Sequence, residues 1–218
     1  MSAPAIFPEL DRLGLARAFE QQLTGDVEIA LSLPPHPHDE QGMGAARRAS
    51  ALVSELAALS RRLRVVQAPA PTLPDLGEDH PPVISIRGQA AGEVHFGGAP
   101  AGYEVPILVN AIIDVSRGET GLAPGTVKVL AELRNPVAVR MLVSATCPTC
   151  AADARLVLQM AIASPHVSAW MLDVAQVPRL ARRIGGTSLP SALINDICWV
   201  PGAQPELALL ARVLFAGT

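Results

Sequence analysis

The sequence predicts an α/β chain of two tandem units, each running βαβαββα around a mixed central sheet flanked by helices. Three observations carry that expectation. Short apolar, β-branched runs alternate with longer amphipathic runs along the chain. Two strands are entered through proline, "PPVISIRG" (81–88) and "LPSALIND" (189–196), and each leads to a short hairpin partner and then a helix. An apolar strand and a long helix precede each proline at similar distances, so that Ile86 falls on Ile194 and Gly88 on Asp196. The division is 1–120 and 121–218, two pieces of about 100 residues, an ordinary domain size.

In the second half, "NPVAVRMLVSA" (135–145) has the composition of a buried strand, and "CPTCAADARLVLQMAIAS" (147–164) reads as a helix with Val157, Met160, Ala161 and Ile162 on its inner face. "HVSAWMLDV" (166–174) is a strand. "VPRLARRIG" (177–185) is a short helix with Pro178 in its first turn. The proline-led strand, the hairpin partner "ICWVPG" and a helix over 204–217 complete the unit. In the first half a helix over 8–23 leads into strand 26–33, a long helix covers 43–62, and strands follow at 63–68, 81–88 and 92–98. A helix over 103–118 tolerates Pro106 in its first turn, where a missing N–H does no harm. A further helix starting near Pro124 lies in the segment that connects the halves.

Half of the 218 residues are apolar, enough for a substantial core, while aromatic residues make up only 3%, so packing rests on Leu, Val, Ile and Ala. A formal charge of −3 gives no basic footprint for nucleic acid. No run reaches the ~18 apolar residues of a membrane span. The first residues, with Ile6, Leu10, Leu13, Leu15 and Phe19 at helical spacing, read as an amphipathic helix rather than a signal peptide, so a cytoplasmic location is expected. Thiols are mostly kept reduced there, and a cysteine pair is more often catalytic or metal-binding than structural.

Two of the three cysteines, Cys147 and Cys150, stand at the junction of a strand and a helix. Such a pair can hold a metal, staple a loop or exchange electrons. Zinc needs four ligands, and Cys198 and His166 form no second close pair. A structural disulfide here would close a tiny loop and add little stability. A thiolate at a helix N-terminus, in contrast, is stabilised by unpaired backbone N–H groups and the helix dipole, which lowers its pKa. With Pro148 at the first helical position and Cys150 one turn inside, the spacing favours an exposed attacker, Cys147, and a shielded resolver, Cys150.

The stretch "WMLDVAQVPRLARRIGGTSLPSALIND" resembles the central portion of the thioredoxin-like superfamily. The resemblance implies that Pro190 is a cis-proline facing the cysteines. The backbone of Leu189 would then be free to pair with an incoming peptide. Pro148 and Thr149, between the cysteines, would join Leu189 in contacting substrate. The duplication, with "LVSELAALSRRLRV" and "VHFGGAPAGYEVPILVNAII" in the first unit, is similar to the N-terminal portion of the alkyl hydroperoxide reductase flavoprotein subunit and to the two-unit glutaredoxin-like protein disulfide oxidoreductases. That implies a silent first unit and a free-standing disulfide reductase. Electrons would come from a flavin-dependent disulfide reductase and pass to a disulfide-containing protein such as a peroxiredoxin, with no cofactor beyond the redox disulfide.

The sequence also departs from those families. Its motif is Cys-Pro-Thr-Cys, "INDICWVPGAQ" lacks the Gly-Gly pair of glutathione binders, and no acidic residue precedes Cys147 in its strand. Asp153 and Glu132 are the nearest substitutes for a buried proton acceptor. The rival functional classes are a non-catalytic binding module and a disulfide oxidase or isomerase. Among other residues, Cys198 and Trp170 read as core, His36 and His38 as part of a solvated Pro-rich loop rather than a metal site with Asp39 and His80, and "FGGAPAG" as a tight turn without a phosphate-loop lysine.

Overall fold

The computed structural model of the protein describes residues 6–34, 40–72, 80–183 and 188–218. From the N-terminus the chain forms α1 (Glu9–Gln22), β1 (Val27–Ser32), α2 (Glu40–Ala58), β2 (Leu63–Gln67), β3 (Val83–Arg87), β4 (Glu93–Gly97) and α3 (Glu104–Arg117). It continues through α4 (Pro124–Ala131), β5 (Val137–Val143), α5 (Cys150–Ala163), β6 (Val167–Asp173), α6 (Pro178–Arg183), β7 (Ser191–Ile194), β8 (Cys198–Pro201) and α7 (Glu206–Ala216).

The eight strands make one mixed sheet in the order β2-β1-β3-β4-β6-β5-β7-β8. The order of the first four repeats in the last four. In each half a parallel pair, β1 with β2 and β5 with β6, is joined to an antiparallel hairpin. The register repeats as well: Ile86 faces Ile29 as Ile194 faces Val139, which places the two proline-led strands in equivalent positions. The halves meet where β4 pairs in parallel with β6, from Glu93 opposite Ser168 to Gly97 opposite Leu172.

One face of the sheet carries the larger core. Val27, Ile29 and Leu31 of β1, Val139 and Met141 of β5, and Ala169 and Met171 of β6 all point to it, packed under the helices. The period-two alternation of these strands is what selects them. A smaller cluster of Trp170, Leu172, Leu142, Val83 and Leu193 lies on the opposite face under Val177, Leu180 and Ala181 of the α6 region.

Several sequence expectations shift. Among the described residues no helix stands between β2 and β3, where the second unit has α6, and residues 73–79 of that stretch lie outside the described residues. The long helix expected over 43–62 is α2 and ends at Ala58, because Leu59 to Leu63 tighten into successive turns, with the Ser60 N–H donating to the Ala57 carbonyl. The helix expected from Cys147 begins at Cys150, and Pro148 lies in the preceding turn rather than at the first helical position. Thr149 already has helical backbone angles (φ −85°, ψ −13°), but regular i→i+4 bonding starts one residue later.

Candidate functional site

The site grows from the C-terminal end of β5. After Val143 the chain turns through residues 144–149, with the Cys147 N–H donating to the Ser144 carbonyl at 3.0 Å, and enters α5 at Cys150. The sulfurs of Cys147 and Cys150 are joined in a disulfide, with the Cα atoms 5.6 Å apart. Cys150 is fully buried, whereas Cys147 is half-buried and Pro148 and Thr149 are exposed. The Thr149 hydroxyl lies 3.6 Å from the Cys147 sulfur. The two thiols therefore differ in access as the spacing suggested.

Pro190 reaches the same end of the sheet because Ser191 sits opposite Leu142 in the β5–β7 ladder. The Leu189–Pro190 bond is cis, as the resemblance implied. Pro190 is buried, Leu189 is half-buried, and Leu189 and Cys147 both pack on the main core. All six residues singled out in the sequence thus gather at one end of β5 and β7.

The first unit takes part in this end of the molecule, which the sequence did not disclose. The glycine-rich turn, read as a simple connection, lies against the cysteine loop. The Tyr103 N–H donates to the Ala145 carbonyl at 3.0 Å, two residues before Cys147. Gly102 has φ +50°, and a Cβ there would meet the Ala145 oxygen at 2.3 Å, so the close approach needs glycine. Gln176, after β6, binds the other side of the turn, accepting from the Ala99 N–H at 2.8 Å and donating to Asp173 at 2.6 Å.

Glu104, at the start of α3, is buried in this junction and was missed in the sequence, where it looks like an ordinary acidic first-turn residue. One carboxylate oxygen accepts from the Ala101 N–H at 3.1 Å, and Oε1 has no hydrogen-bond partner. Burial, with the charge of Asp173 nearby, pushes its pKa up to about 7. Glu104, Asp173 and Val143 line one cavity of about 10 Å³ below the cysteine loop. The carboxylates that the sequence offered are placed otherwise. Asp153 is buried in α5 with its pKa raised by burial, but its Oδ1 is held by the Gln204 N–H at 2.9 Å. Glu132 is exposed after α4 and, with His166, lies at the opposite end of the sheet. Glu132 therefore does not take the place of a buried proton acceptor beside the cysteines.

Unit 1 also supports the helix that carries Cys150. The Ala91 and Gly92 N–H groups donate to the Ile162 and Ala161 carbonyls at 3.1 and 2.9 Å, satisfying two of the orphan acceptors at the C-terminus of α5. Arg155 of α5 forms a two-bond pair with Asp114 of α3 at 3.0 and 3.1 Å.

Cys198 and Trp170 are buried, as expected. His36, His38 and Asp39 lie outside the described residues, and His80 binds the Pro81 carbonyl through Nδ1. Among the described residues no group of three His, Cys, Asp or Glu side chains is placed to hold a metal ion, and no helix is long and apolar enough to cross a membrane.

The fold is that of two tandem thioredoxin-like units. The chain is similar to the N-terminal domain of alkylhydroperoxide reductase AhpF from Enterococcus faecalis, with 23% identity and a TM-score of 0.78 over 95% of this chain and 99% of that one. It is also similar to a protein disulfide oxidoreductase from Aeropyrum pernix, with 21% identity and a TM-score of 0.81 over 96% of this chain and 93% of the other. No protein-family model matches the chain, and no curated protein matches it significantly.

Proposed function

We propose that the protein is a thiol–disulfide oxidoreductase working as a protein-disulfide reductase through Cys147 and Cys150. The Cys147 thiolate attacks one sulfur of a substrate disulfide, forming a mixed disulfide and expelling the other substrate sulfur as a thiolate. The Cys150 thiolate then attacks the Cys147 sulfur, which releases the second substrate thiolate. The protein is left with the Cys147–Cys150 disulfide, and two electrons have passed to the substrate. The observation that carries this reading is a bonded cysteine pair of unequal exposure, at a strand-to-helix junction at the end of the sheet where Pro190 enters β7.

Pro190, with Leu189, Pro148 and Thr149, forms the surface that receives the substrate backbone. Glu104, a buried carboxyl that lines one cavity with Val143 at the end of the cysteine strand, is the proton acceptor proposed in place of the one that strand lacks. Its raised pKa, near that of an activated thiol, supports proton transfer near neutral pH. Residues 121–218 are the redox unit, and residues 1–120 are a silent unit that holds the cysteine loop and α5. No cofactor beyond the disulfide is needed. Electrons come from a flavin-dependent disulfide reductase in the cytoplasm and pass to a disulfide-bearing protein such as a peroxiredoxin. The likeness to an alkylhydroperoxide reductase domain supports that setting.

The test is reduction of insulin by the wild type with dithiothreitol as electron source. Cys147→Ser abolishes the activity, and Cys150→Ser accumulates a mixed disulfide at Cys147. A wild type no faster than dithiothreitol alone would instead favour the non-catalytic binding module. Loss of alkylation at Cys147 in Cys150→Ser would reverse the roles of attacker and resolver.

A further inference from the structure

The unit without cysteines carries an open groove of about 670 Å³ between the α1 region and the start of α3. Phe7, Leu15 and Val105 line it, half-buried and packed on the main core. The segment before α1 is fixed in place, because the Ile6 and Phe7 N–H groups donate to the Glu55 carboxylate of α2 at 2.6 and 3.3 Å. Arg48 and Asp11 also line the groove, and among the described residues neither makes an ion pair. With one charge of each sign, the groove selects by apolar contact rather than by net charge. Gly14, in the interior of α1, lies open to it. Glycine weakens a helix interior, and no packing inside this chain calls for it, since an added Cβ would meet nothing within 4 Å. The bare backbone there admits the close approach of another chain.

The groove is continuous with the redox site. Gly102 lines it and also abuts the Ala145 carbonyl, to which the next residue, Tyr103, donates its N–H, two residues before Cys147. The Tyr103 side chain is 52% exposed at this join. In the order β4-β6-β5-β7, the turn after β4 and Leu189 before β7 flank the cysteine loop on opposite sides, at the same end of the sheet. Three strand spacings separate them, about 14 Å, which roughly four or five extended residues span. A substrate cysteine attacked by Cys147 sits over the loop with its own chain running out on both sides.

We propose that this groove seats the extended, apolar stretch of the protein substrate on one side of its attacked cysteine, while the stretch on the other side lies along Leu189 and Pro190. The proposal rests on the disulfide-reductase reading above and adds a selector to it: the silent unit sets which protein disulfides are reduced, and a disulfide too short to reach the groove is reduced without it.

The full chain, reduced and freed of reductant, is to be mixed in stopped flow with insulin and, separately, with hydroxyethyl disulfide, the reaction being quenched in acid and the cysteines alkylated. Gly14→Trp fills the groove from a position where a larger side chain has room and favours the helix. It lowers the second-order rate constant for insulin at least tenfold and leaves that for hydroxyethyl disulfide within about twofold, with far-UV circular dichroism unchanged. Pro106→Trp, exposed at the start of α3, does the same independently. Leu13→Trp, beside Gly14 but exposed outside the groove, changes neither rate. Insulin rates unchanged in both groove variants overturn the proposal and leave the redox reading standing, as do rates for the two disulfides that fall together. Rates per chain that drop as the wild type is concentrated mean that a second copy fills the groove, and overturn it too. A wild type that exchanges with neither disulfide overturns the redox reading and this proposal with it.

Discussion

Glu104 illustrates how one side chain acquires chemistry from its surroundings. At the first turn of an exposed helix it would be a solvated carboxylate that complements the dipole. Here the helix start is pressed between the two units, and burial beside Asp173 holds the proton on the carboxyl up to about pH 7 rather than the ordinary 4.5. Between those values the folded protein keeps a proton that the unfolded chain has lost. Stability from this group is therefore full below about pH 4.5 and is lost as pH rises through about 7. The swing is on the order of 3 kcal/mol at a little over 1 kcal/mol per pKa unit. Glu104→Gln should flatten the urea-denaturation profile across this range and raise stability at pH 8. The same variant should slow the exchange step near neutral pH in stopped-flow assays, with its remaining pH profile set by the cysteines alone. An unchanged rate profile would mean that the carboxyl is structural.

Most elements were legible in the sequence because their signals are local. The proline-led strands, the alternation of Val27–Ser32 and the junction between Val143 and Cys150 need no knowledge of the rest of the chain. What escaped is what another element supplies. Nothing local tells Gly92 that it caps α5, or Tyr103 that it binds the cysteine loop, since the partners lie in the other unit. Two predictions belong to this junction. A Cβ on Gly92 would meet the carbonyl oxygens of Val167 and Ser164 at 2.2 and 2.4 Å, so Gly92→Ala should destabilise the protein by about 1–3 kcal/mol in urea. His95 of β4 stacks on its pairing neighbour Trp170 at 4.3 Å, and its Nδ1 shares a 2.8 Å hydrogen bond with the Ser85 hydroxyl. Burial lowers its pKa below 6.5, outweighing the opposing pull of Glu93, while Arg87 adds to the lowering. The unfolded chain then binds the proton first, so stability present above pH 6.5 is lost as pH falls below it. Replacing His95 with Gln should remove that acid-side loss, in the opposite direction to the effect of Glu104.

At the scale of the molecule, joining β4 to β6 turns two four-stranded sheets into one and removes an unpaired edge from each. The same contact covers α5 with α3 and places unit 1 backbone on the loop before Cys147. The second unit on its own would lose these contacts, although it contains both cysteines and Pro190. A fragment of residues 121–218 would expose the edge of β6, the α3-facing side of α5 and two bare carbonyls at the helix C-terminus. It would also leave Arg155 without Asp114. At about 25 cal/mol per Å², uncovering a few hundred Å² of apolar surface costs several kcal/mol, comparable to the whole stability of a small domain. The fragment should accordingly be less soluble and melt well below the full chain in calorimetry. Its exchange rate, measured below the melting point, should fall because Tyr103 no longer fixes the loop at Ala145. Adding residues 1–120 in trans should restore part of both. A fragment with the stability and the rate of the full chain would show that the silent unit supports neither the sheet nor the site.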